Sequence, residues 1–258
     1  MSVILIDQKI VHYEVLGRGR PIIFLHGWVG SWRYWIPAMQ AASVNCRAYA
    51  LDLWGFGDTQ KDPQRYSLAR QAELVDRFLD QMGIGRVALV GHGLGAAVAL
   101  LYARTHPEVV DRVLTAGCPL EEQRLSPRLR TTPPAELADW LLGKTPLTEP
   151  ARSDAPKTDP AAVLNSLSGL AAAGLRDITT PCLLVYGQND PVVPPPEQDL
   201  LSSLPEQIHV IWFEQSGHFP MLDEGNKFSR LLADFIALPS GESPRQLQLK
   251  EEWKRRVR

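Results

Sequence analysis

The chain has 258 residues, of which 45% are hydrophobic and 22% are charged, and its formal net charge is −2. This composition is typical of an ordinary globular protein, and the length suits one α/β domain or two smaller ones. The near-neutral charge excludes the broad basic surface that binds nucleic acid.

Membrane and secretion signals are absent from the sequence. No 18 apolar residues run together, and the opening MSVILIDQK lacks the basic region, long apolar region and cleavage site of a signal peptide. The three cysteines, Cys46, Cys118 and Cys182, are odd in number and lack metal-ligand spacing. They suit a reducing compartment. We therefore expect a cytoplasmic protein with no membrane partner and no bound metal.

Eight short stretches predict β-strands. The first two are separated by the turn-like residues DQK and predict an antiparallel pair. Among the later ones are continuous apolar runs, as expected for strands buried on both faces of a parallel sheet. The stretches are 3–6, 10–16, 21–27, 46–53, 86–91, 109–117, 181–187 and 207–213.

Helical patterns lie between these strands. Residues 66–83 place their apolar side chains mostly on one face and end at Gly83, a common helix terminator. Residues 94–103 are small and apolar nearly all round, which predicts a buried helix. Residues 228–238 predict a final amphipathic helix. The alternation predicts a mostly parallel sheet covered by helices on both faces.

Residues 119–178 interrupt this alternation. They contain eight prolines between Pro119 and Pro160 and no convincing strand. Thr132-Pro133 and Asp159-Pro160 each resemble an N-cap followed by proline at the first helical position. We predict two short helices, at about 133–143 and 160–173. Apolar residues in both indicate an insertion that packs onto the rest, the alternative being a disordered linker.

The C-terminal residues 241–258 form a charged tail. A solvated terminal helix is the favoured interpretation, and an anionic partner is the weaker one. The predicted organisation is a core of residues 1–118 and 179–240, an insertion of residues 119–178, and this tail. The tail's charged residues include Arg245, Lys250, Glu251, Glu252, Lys254, Arg255, Arg256 and Arg258.

The stretch ALVGHGLGAAVALLYA, residues 88–103, carries the clearest functional signal. An apolar strand runs into Gly91-His92-Gly93-Leu94-Gly95, and an alanine-rich helix follows at once. This is the layout of a nucleophile elbow, G-x-S-x-G, in which a reactive side chain stands on a sharp strand-to-helix turn. Here the nucleophile position is Gly93, which has no side chain.

Two candidate partners of the elbow follow later strand ends. Asp190 comes just after the strand at 181–187, and His218 just after the strand at 207–213. Sites in such sheets gather at the carboxyl ends of the strands, and an elbow is followed in the chain first by the acid and then by the histidine. We therefore predict that Asp190 and His218 are the catalytic acid–base pair.

The third element follows the strand at 21–27. An oxyanion hole needs two backbone N–H groups aimed at the developing negative charge. In His26-Gly27-Trp28 the N–H of Trp28 is a candidate donor, and the N–H of Leu94, directly after the elbow position, is the second. A simple His-Gly turn is the alternative interpretation.

These motifs resemble the α/β-hydrolase superfamily over roughly residues 2–238, in the group of single-domain esterases, lactonases, epoxide hydrolases and haloperoxidase-like proteins. The resembling stretches are HGWVGSWRYW (26–35), LDLWGFGDT (51–59), VGHGLGAAVAL (90–100), YGQNDPVVP (186–194) and SGHFPMLDE (216–224). They are specific for the fold and say little about substrate.

The resemblance implies an α/β-hydrolase fold, with a mostly parallel eight-stranded sheet, helices on both faces and a small helical lid at residues 119–178. It implies that Asp52 and the Gly55/Gly57 turn belong to the scaffold. It also implies that His92, at the variable position of the elbow, points away from the site.

The departure from the family is at position 93, where Ser, Asp or Cys is expected. Without one of these, neither an acyl-enzyme nor an alkyl-enzyme ester can form. Cys118 follows a strand end and could approach the site, although a small buried hydrophobe is the favoured interpretation.

Three hypotheses remain open for this glycine. In the first, the chain is a serine hydrolase with serine replaced by glycine, and is inactive or weakly active. In the second, it is a natural pseudo-hydrolase that binds a small hydrophobic ligand. In the third, it is a cofactor-free enzyme in which Asp190 and His218 act directly on water or a substrate proton. Glycine relieves the backbone strain of an elbow, yet retention of both partners favours chemistry.

We favour the scaffold of a serine-type hydrolase of carboxylic esters, lactones or thioesters. Its substrate is expected to be a small uncharged ester-like molecule, or its ligand a hydrophobic one. No organic cofactor and no metal are expected. The sequence makes no prediction of the oligomeric state.

Overall fold

The computed structural model describes residues 2–170, 175, 177–239 and 242–247. Within them, one sheet contains eight strands in the spatial order β1-β2-β4-β3-β5-β6-β7-β8. All eight predicted strands are present. They are β1 (Ser2–Ile6), β2 (Lys9–Gly17), β3 (Arg20–Leu25), β4 (Cys46–Leu51), β5 (Val87–His92), β6 (Val110–Ala116), β7 (Cys182–Gly187) and β8 (Ile208–Phe213).

The strand directions confirm a mostly parallel sheet with an antiparallel edge. β1 pairs antiparallel with β2, and β2 pairs antiparallel with β4. All later pairs, from β3–β4 to β7–β8, are parallel. The β1–β2 hairpin turns through Asp7 and Gln8, which both have positive φ. This is the two-residue turn geometry that matches the strand twist.

The α-helices of the described residues are α1 (Ile36–Ala42), α2 (Leu68–Met82), α3 (Leu94–Thr105), α4 (Arg128–Thr131), α5 (Pro134–Leu141), α6 (Glu149–Asp154), α7 (Pro160–Ser166), α8 (Gln198–Ser202), α9 (Pro220–Asp223) and α10 (Gly225–Ala237). The predicted α2 begins at its N-cap Ser67, whose side chain accepts a hydrogen bond from Arg70 N, and ends at Gly83 with φ 65°. This left-handed end explains the glycine.

The core lies on both faces of the sheet. Every residue of β5, β6 and β7 is buried. Because successive side chains of a strand point to opposite faces, helices must cover both. α1 packs with α10, and α2 packs with α3, the buried helix behind the elbow. No helix in the described part of the chain is long and apolar enough to cross a bilayer.

The segment 119–178 contains more helices than we predicted, and they are shorter. The two expected helices are present as α5 and α7, but the described part also contains α4 and α6. The cap expected at Thr132 is wrong by one residue, since Pro133 is the N-cap and Pro134 begins α5. The cap at Asp159 is confirmed, because its side chain accepts a hydrogen bond from Ala161 N. The second predicted helix is too long, since α7 ends at Ser166 and residues 167–170 are not helical, while residues 171–173 lie outside the described residues.

Contacts of this segment go to the loops that follow the carboxyl ends of β3 and β4. Ser31 hydrogen-bonds Asp154 at the end of α6. Asp159 N donates to Gly55 O, and a Cβ at Gly55 would lie 2.5 Å from Ala162 Cβ. The helices 128–166 therefore lie against the edge of the sheet where the strands end.

Only part of the predicted charged tail falls within the described residues. Pro244–Gln246 form a single 3-10 turn, and the Arg245 side chain donates to Leu204 O and Pro205 O. Residues 240–241 and 248–258, including most of the predicted terminal helix, lie outside the described residues.

Candidate active site

The predicted elbow is a strand–turn–helix. β5 ends at His92, Gly93 has φ 50° and ψ −113°, and α3 begins at Leu94. Gly93 N donates to Ala116 O at 3.0 Å, which ties the turn to the neighbouring strand β6. A positive φ is costly for any residue with a Cβ, by about 1–3 kcal/mol. Gly93 therefore adopts this conformation without that strain.

The three elbow glycines differ in how much space surrounds them. A Cβ at Gly95 would lie 2.2 Å from Leu25 O, and one at Gly91 would lie 2.3 Å from Gly95 O. Both positions need glycine because α3 approaches the sheet so closely. The atoms nearest to a Cβ at Gly93 would be two ring carbons of Trp28, at 3.4 Å, and Gly27 Cα, at 3.5 Å, all at ordinary van der Waals distances. Position 93 therefore has room for a side chain.

We expect Gly95→Ala to lower the free energy of unfolding by about 1–3 kcal/mol or more, because backbone must move to admit the methyl group. The matched control is Gly85→Ala, where no heavy atom lies within 4 Å of the added Cβ. That change should stay within about 0.5 kcal/mol of the parent. Urea unfolding of both variants measures the difference, and equal stability of the two would contradict the close approach.

Asp190 and His218 form a buried pair. His218 Nδ1 lies 2.8 Å from Asp190 Oδ2, and their side chains are 2% and 1% exposed. Asp190 Oδ1 accepts hydrogen bonds from Val192 N and Val193 N. The carboxylate is therefore fixed, and it selects the tautomer in which Nδ1 carries the proton and Nε2 keeps its lone pair. No hydrogen bond within the described residues uses Nε2.

The pair lies beside the elbow. A Cβ at Gly117, directly after β6, would lie 3.2 Å from Asp190 Oδ2 and 3.3 Å from His218 Nδ1. The His218 ring centroid is 4.6 Å from that of His92, the residue before Gly93. The ends of β5, β6, β7 and β8 thus bring Gly93, Asp190 and His218 to one place.

The two predicted backbone donors are buried and without partners. Trp28 is 1% and Leu94 0% exposed. Within the described part of the chain, no hydrogen bond uses either backbone N–H, whereas Gly27 N donates to Tyr34 Oη at 2.6 Å. A buried N–H without a partner is unfavourable, and such groups occur where a ligand oxygen is to be bound.

The Trp28 side chain joins this site to helix α7. Its ring lies over Gly93, and its Nε1 donates to Ser166 Oγ at 3.1 Å. Phe219 lies on the other side, with its ring centroid 5.3 Å from that of His218. Both aromatic side chains are buried. The site is therefore closed and largely apolar.

The resemblance implied that His92 points away from the site, but in the structure its ring lies against that of His218. Its Nε2 donates to the backbone O of His218 at 2.8 Å, and its Nδ1 accepts from Tyr34 Oη at 2.9 Å. Full burial keeps the pKa of His92 well below its usual range, so the ring is neutral. His92 and Tyr34 connect the loops that carry Trp28 and His218. No sequence pattern indicated Tyr34, and the orientation expected for His92 was wrong.

The Asp52 region is scaffold, as the resemblance implied. Asp52 is fully buried and accepts hydrogen bonds from Trp32 N, Asp58 N and the His12 ring. His12, Asp52 and Asp58 offer ligand atoms within 4.8 Å of one another. Because both Asp52 oxygens already accept hydrogen bonds, this cluster positions the loop after β4. A Cβ at Gly57 would lie 2.3 Å from the Asp52 carboxylate.

Cys118 does not act as a replacement nucleophile. It is buried, and among the described residues its Sγ has the carbonyl of Pro119, at 3.9 Å, as its one hydrogen-bond partner. Burial raises the pKa of the thiol well above its usual range, so a thiolate does not form near neutral pH. All three cysteines are unpaired and buried. The small-hydrophobe interpretation of Cys118 agrees with these contacts.

Comparison with known proteins gives consistent results. The profile of the Alpha/beta hydrolase family matches residues 22–231. The chain is 28% identical over 252 residues to a 2-hydroxy-6-oxo-2,4-heptadienoate hydrolase of Pseudomonas putida, covering 86% of this chain and 91% of that protein. It is 26% identical over 253 residues to a pimeloyl-acyl-carrier-protein methyl ester esterase of Vibrio cholerae, covering 87% and 97%.

Solved structures share the fold. An esterase from Exiguobacterium antarcticum superposes with a TM-score of 0.81 at 20% identity, covering 92% of this chain and 99% of that one. A hydrolase from Pseudomonas aeruginosa gives a TM-score of 0.81 at 19% identity, covering 92% and 98%. The predicted fold class is confirmed.

Proposed function

The chain belongs to the α/β-hydrolase family, and we propose that its site is that of an ester-type hydrolase in which only the side chain of the nucleophile is missing. The observation that carries this proposal is the buried His218–Asp190 pair at 2.8 Å beside an elbow whose central residue is Gly93. Two backbone N–H groups without partners among the described residues, those of Trp28 and Leu94, would form the oxyanion hole.

In this chain the attacking group is a water molecule. Water adds to the acyl carbonyl carbon while its proton passes to His218 Nε2, and Asp190 stabilises the imidazolium through Nδ1–H. The carbonyl oxygen takes up the negative charge and accepts hydrogen bonds from the N–H groups of Trp28 and Leu94. The imidazolium then protonates the leaving group, and the acid is released. No covalent intermediate, metal or organic cofactor takes part.

The substrate class is a small uncharged carboxylic ester, lactone or thioester. The name of one relative supports hydrolysis of acyl compounds, since it is a methyl ester esterase. The buried aromatic surroundings of Trp28 and Phe219 favour a substrate without charge near the reacting carbon. The buried unpaired cysteines support a reducing, cytoplasmic location.

The segment 119–178 is proposed to act as the lid of this site. Its anchors support this role. Trp28 Nε1 bonds Ser166 in α7, the buried Asp154 carboxylate pairs with Ser31 Oγ and with Arg33 Nε at 3.4 Å, and Lys157 Nζ lies 2.9 Å from Asp58 Oδ1. His218 is only 3% exposed, so a substrate requires the lid to move.

Hydrolysis of p-nitrophenyl acetate by the unaltered protein tests the proposal. We expect slow turnover with no initial burst, above the rate in water by at most about 10³–10⁴-fold, which is what a site without its nucleophile retains. His218→Ala should lower this rate of hydrolysis by about 10²-fold. His106→Ala, at the far end of α3, is the matched control and should change nothing.

Two outcomes would contradict the proposal. A stoichiometric burst of p-nitrophenol would mean that another side chain is acylated. No hydrolysis at all, together with saturable binding of the ester, would make the chain a ligand-binding pseudo-hydrolase.

A further inference from the structure

Removal of a nucleophile leaves a combination that suits another reaction. The described site has a base with a free Nε2, held by Asp190, and two buried backbone N–H groups without partners. These are the parts needed to form an enolate, which requires one proton acceptor and donors for a developing oxyanion. We propose that this site also enolises small apolar ketones. The inference rests on the same base and donors as the proposed function.

The step needs no group other than these. The C–H bond next to the ketone carbonyl breaks, and the proton goes to His218 Nε2. The electron pair of that bond forms the C=C double bond, and the carbonyl π electrons move to oxygen. The oxygen is then an anion that accepts hydrogen bonds from Trp28 N and Leu94 N. Return of a proton from the imidazolium to carbon restores the ketone, and no oxidant or co-reactant is used.

Gly93 provides the space that this reaction requires. A Cβ at position 93 would have no heavy-atom neighbour closer than 3.4 Å. A serine hydroxyl would use that space and would stand between the bound carbonyl and the base, as nucleophiles in elbows do. Without it, the carbon next to the carbonyl has direct access to Nε2. In the proposed complex, the ketone oxygen binds the two N–H groups and a neighbouring C–H bond faces Nε2.

The surroundings of His218 favour formation of the enolate. Trp28, Phe219 and His218 are each 3% exposed or less, so few water molecules reach the bound ketone. In such surroundings the two N–H groups stabilise an oxyanion more strongly than water-exposed donors do. Neutral His92 against the His218 ring adds no positive charge that would weaken the base.

Hydrogen–deuterium exchange tests the inference without any hydrolysis. Acetophenone or 1-indanone is incubated with the protein in D₂O, and the loss of the proton signal next to the carbonyl is followed by NMR. We expect exchange about 10²-fold faster than with His218→Ala or His218→Gln, both checked for folding by circular dichroism. His106→Ala should match the parent. Gly93→Ser should exchange severalfold more slowly, because its hydroxyl fills the space.

The outcomes separate this inference from the proposed function. Exchange in the parent that is lost in both His218 variants supports it, whatever the rate of ester hydrolysis. Exchange no faster than in buffer, with Gly93→Ser an active esterase, overturns the inference and leaves the proposed function standing. Exchange that survives loss of His218 also overturns it. Absence of both activities overturns the shared assignment of base and donors.

Discussion

Gly93→Ser is expected to raise the hydrolysis of short-chain p-nitrophenyl esters by at least about 10³-fold, because it restores the one missing part of the site. The new Cβ has room, with its closest neighbours at 3.4 Å. The hydroxyl should then lie within about 3 Å of His218 Nε2, the reach that a nucleophile–base pair requires. The backbone donors at Trp28 and Leu94 need no change. Steady-state and burst kinetics measure the gain.

The matched control for this gain is Gly93→Ala. Both substitutions place a Cβ at φ 50°, so both should lower the free energy of unfolding by about 1–3 kcal/mol. Only the serine adds a hydroxyl. An equal gain from alanine would mean that the backbone change, and not a nucleophile, raises activity. A stable Gly93→Ser protein that hydrolyses no ester or lactone would end the interpretation as a serine-type scaffold.

Asp190→Asn in the Gly93→Ser protein is expected to lower kcat by about 10⁴-fold, the effect seen when the acid of a Ser-His-Asp triad is replaced in this way. The amide no longer selects the tautomer with the proton on Nδ1, so Nε2 carries the proton and cannot accept one from the hydroxyl. Asparagine keeps an oxygen for Val192 N and Val193 N, which now bond Asp190 Oδ1. The loop should therefore keep its shape.

Asp199→Asn is the control for the loss of a negative charge, since Asp199 is an exposed residue of the nearby helix α8. It should leave kcat unchanged. If the Asp190 substitution costs less than about tenfold while the protein stays folded, Asp190 does not act through the tautomer of His218, and the acid–base assignment fails.

Local patterns in the sequence predict most of the sheet and its site positions. Strands β3, β5 and β7 are recognisable because burial on both faces makes them largely continuous apolar runs, as in PIIFL and CLLVYG. Gly93, Asp190 and His218 could be placed because Gly93 directly follows a strand, and the other two come in the short loops after β7 and β8. Their positions are properties of single strand ends, which a short window of sequence contains.

What the sequence did not predict depends on contacts between distant residues. Tyr34 bonds His92 across 58 positions, and His92 bonds the His218 backbone across 126. No local spacing reports either contact. Helices α4 and α6 were missed for a different reason. They have four and six residues, and α6 has proline in its first turn, so neither has a full amphipathic period to recognise.

We propose that this chain has a hydrolase site that is complete except for one side chain. The decisive test is mass spectrometry of Gly93→Ser, quenched during turnover of p-nitrophenyl acetate and analysed as intact protein and as peptides. We expect one acetyl group per chain, on the peptide that contains position 93. Gly93→Ser with His218→Ala should acquire almost none, and the parent and Gly93→Ala should acquire none there. An unmodified peptide in an active variant, or an acetyl group on Cys118 or another residue, would contradict the account.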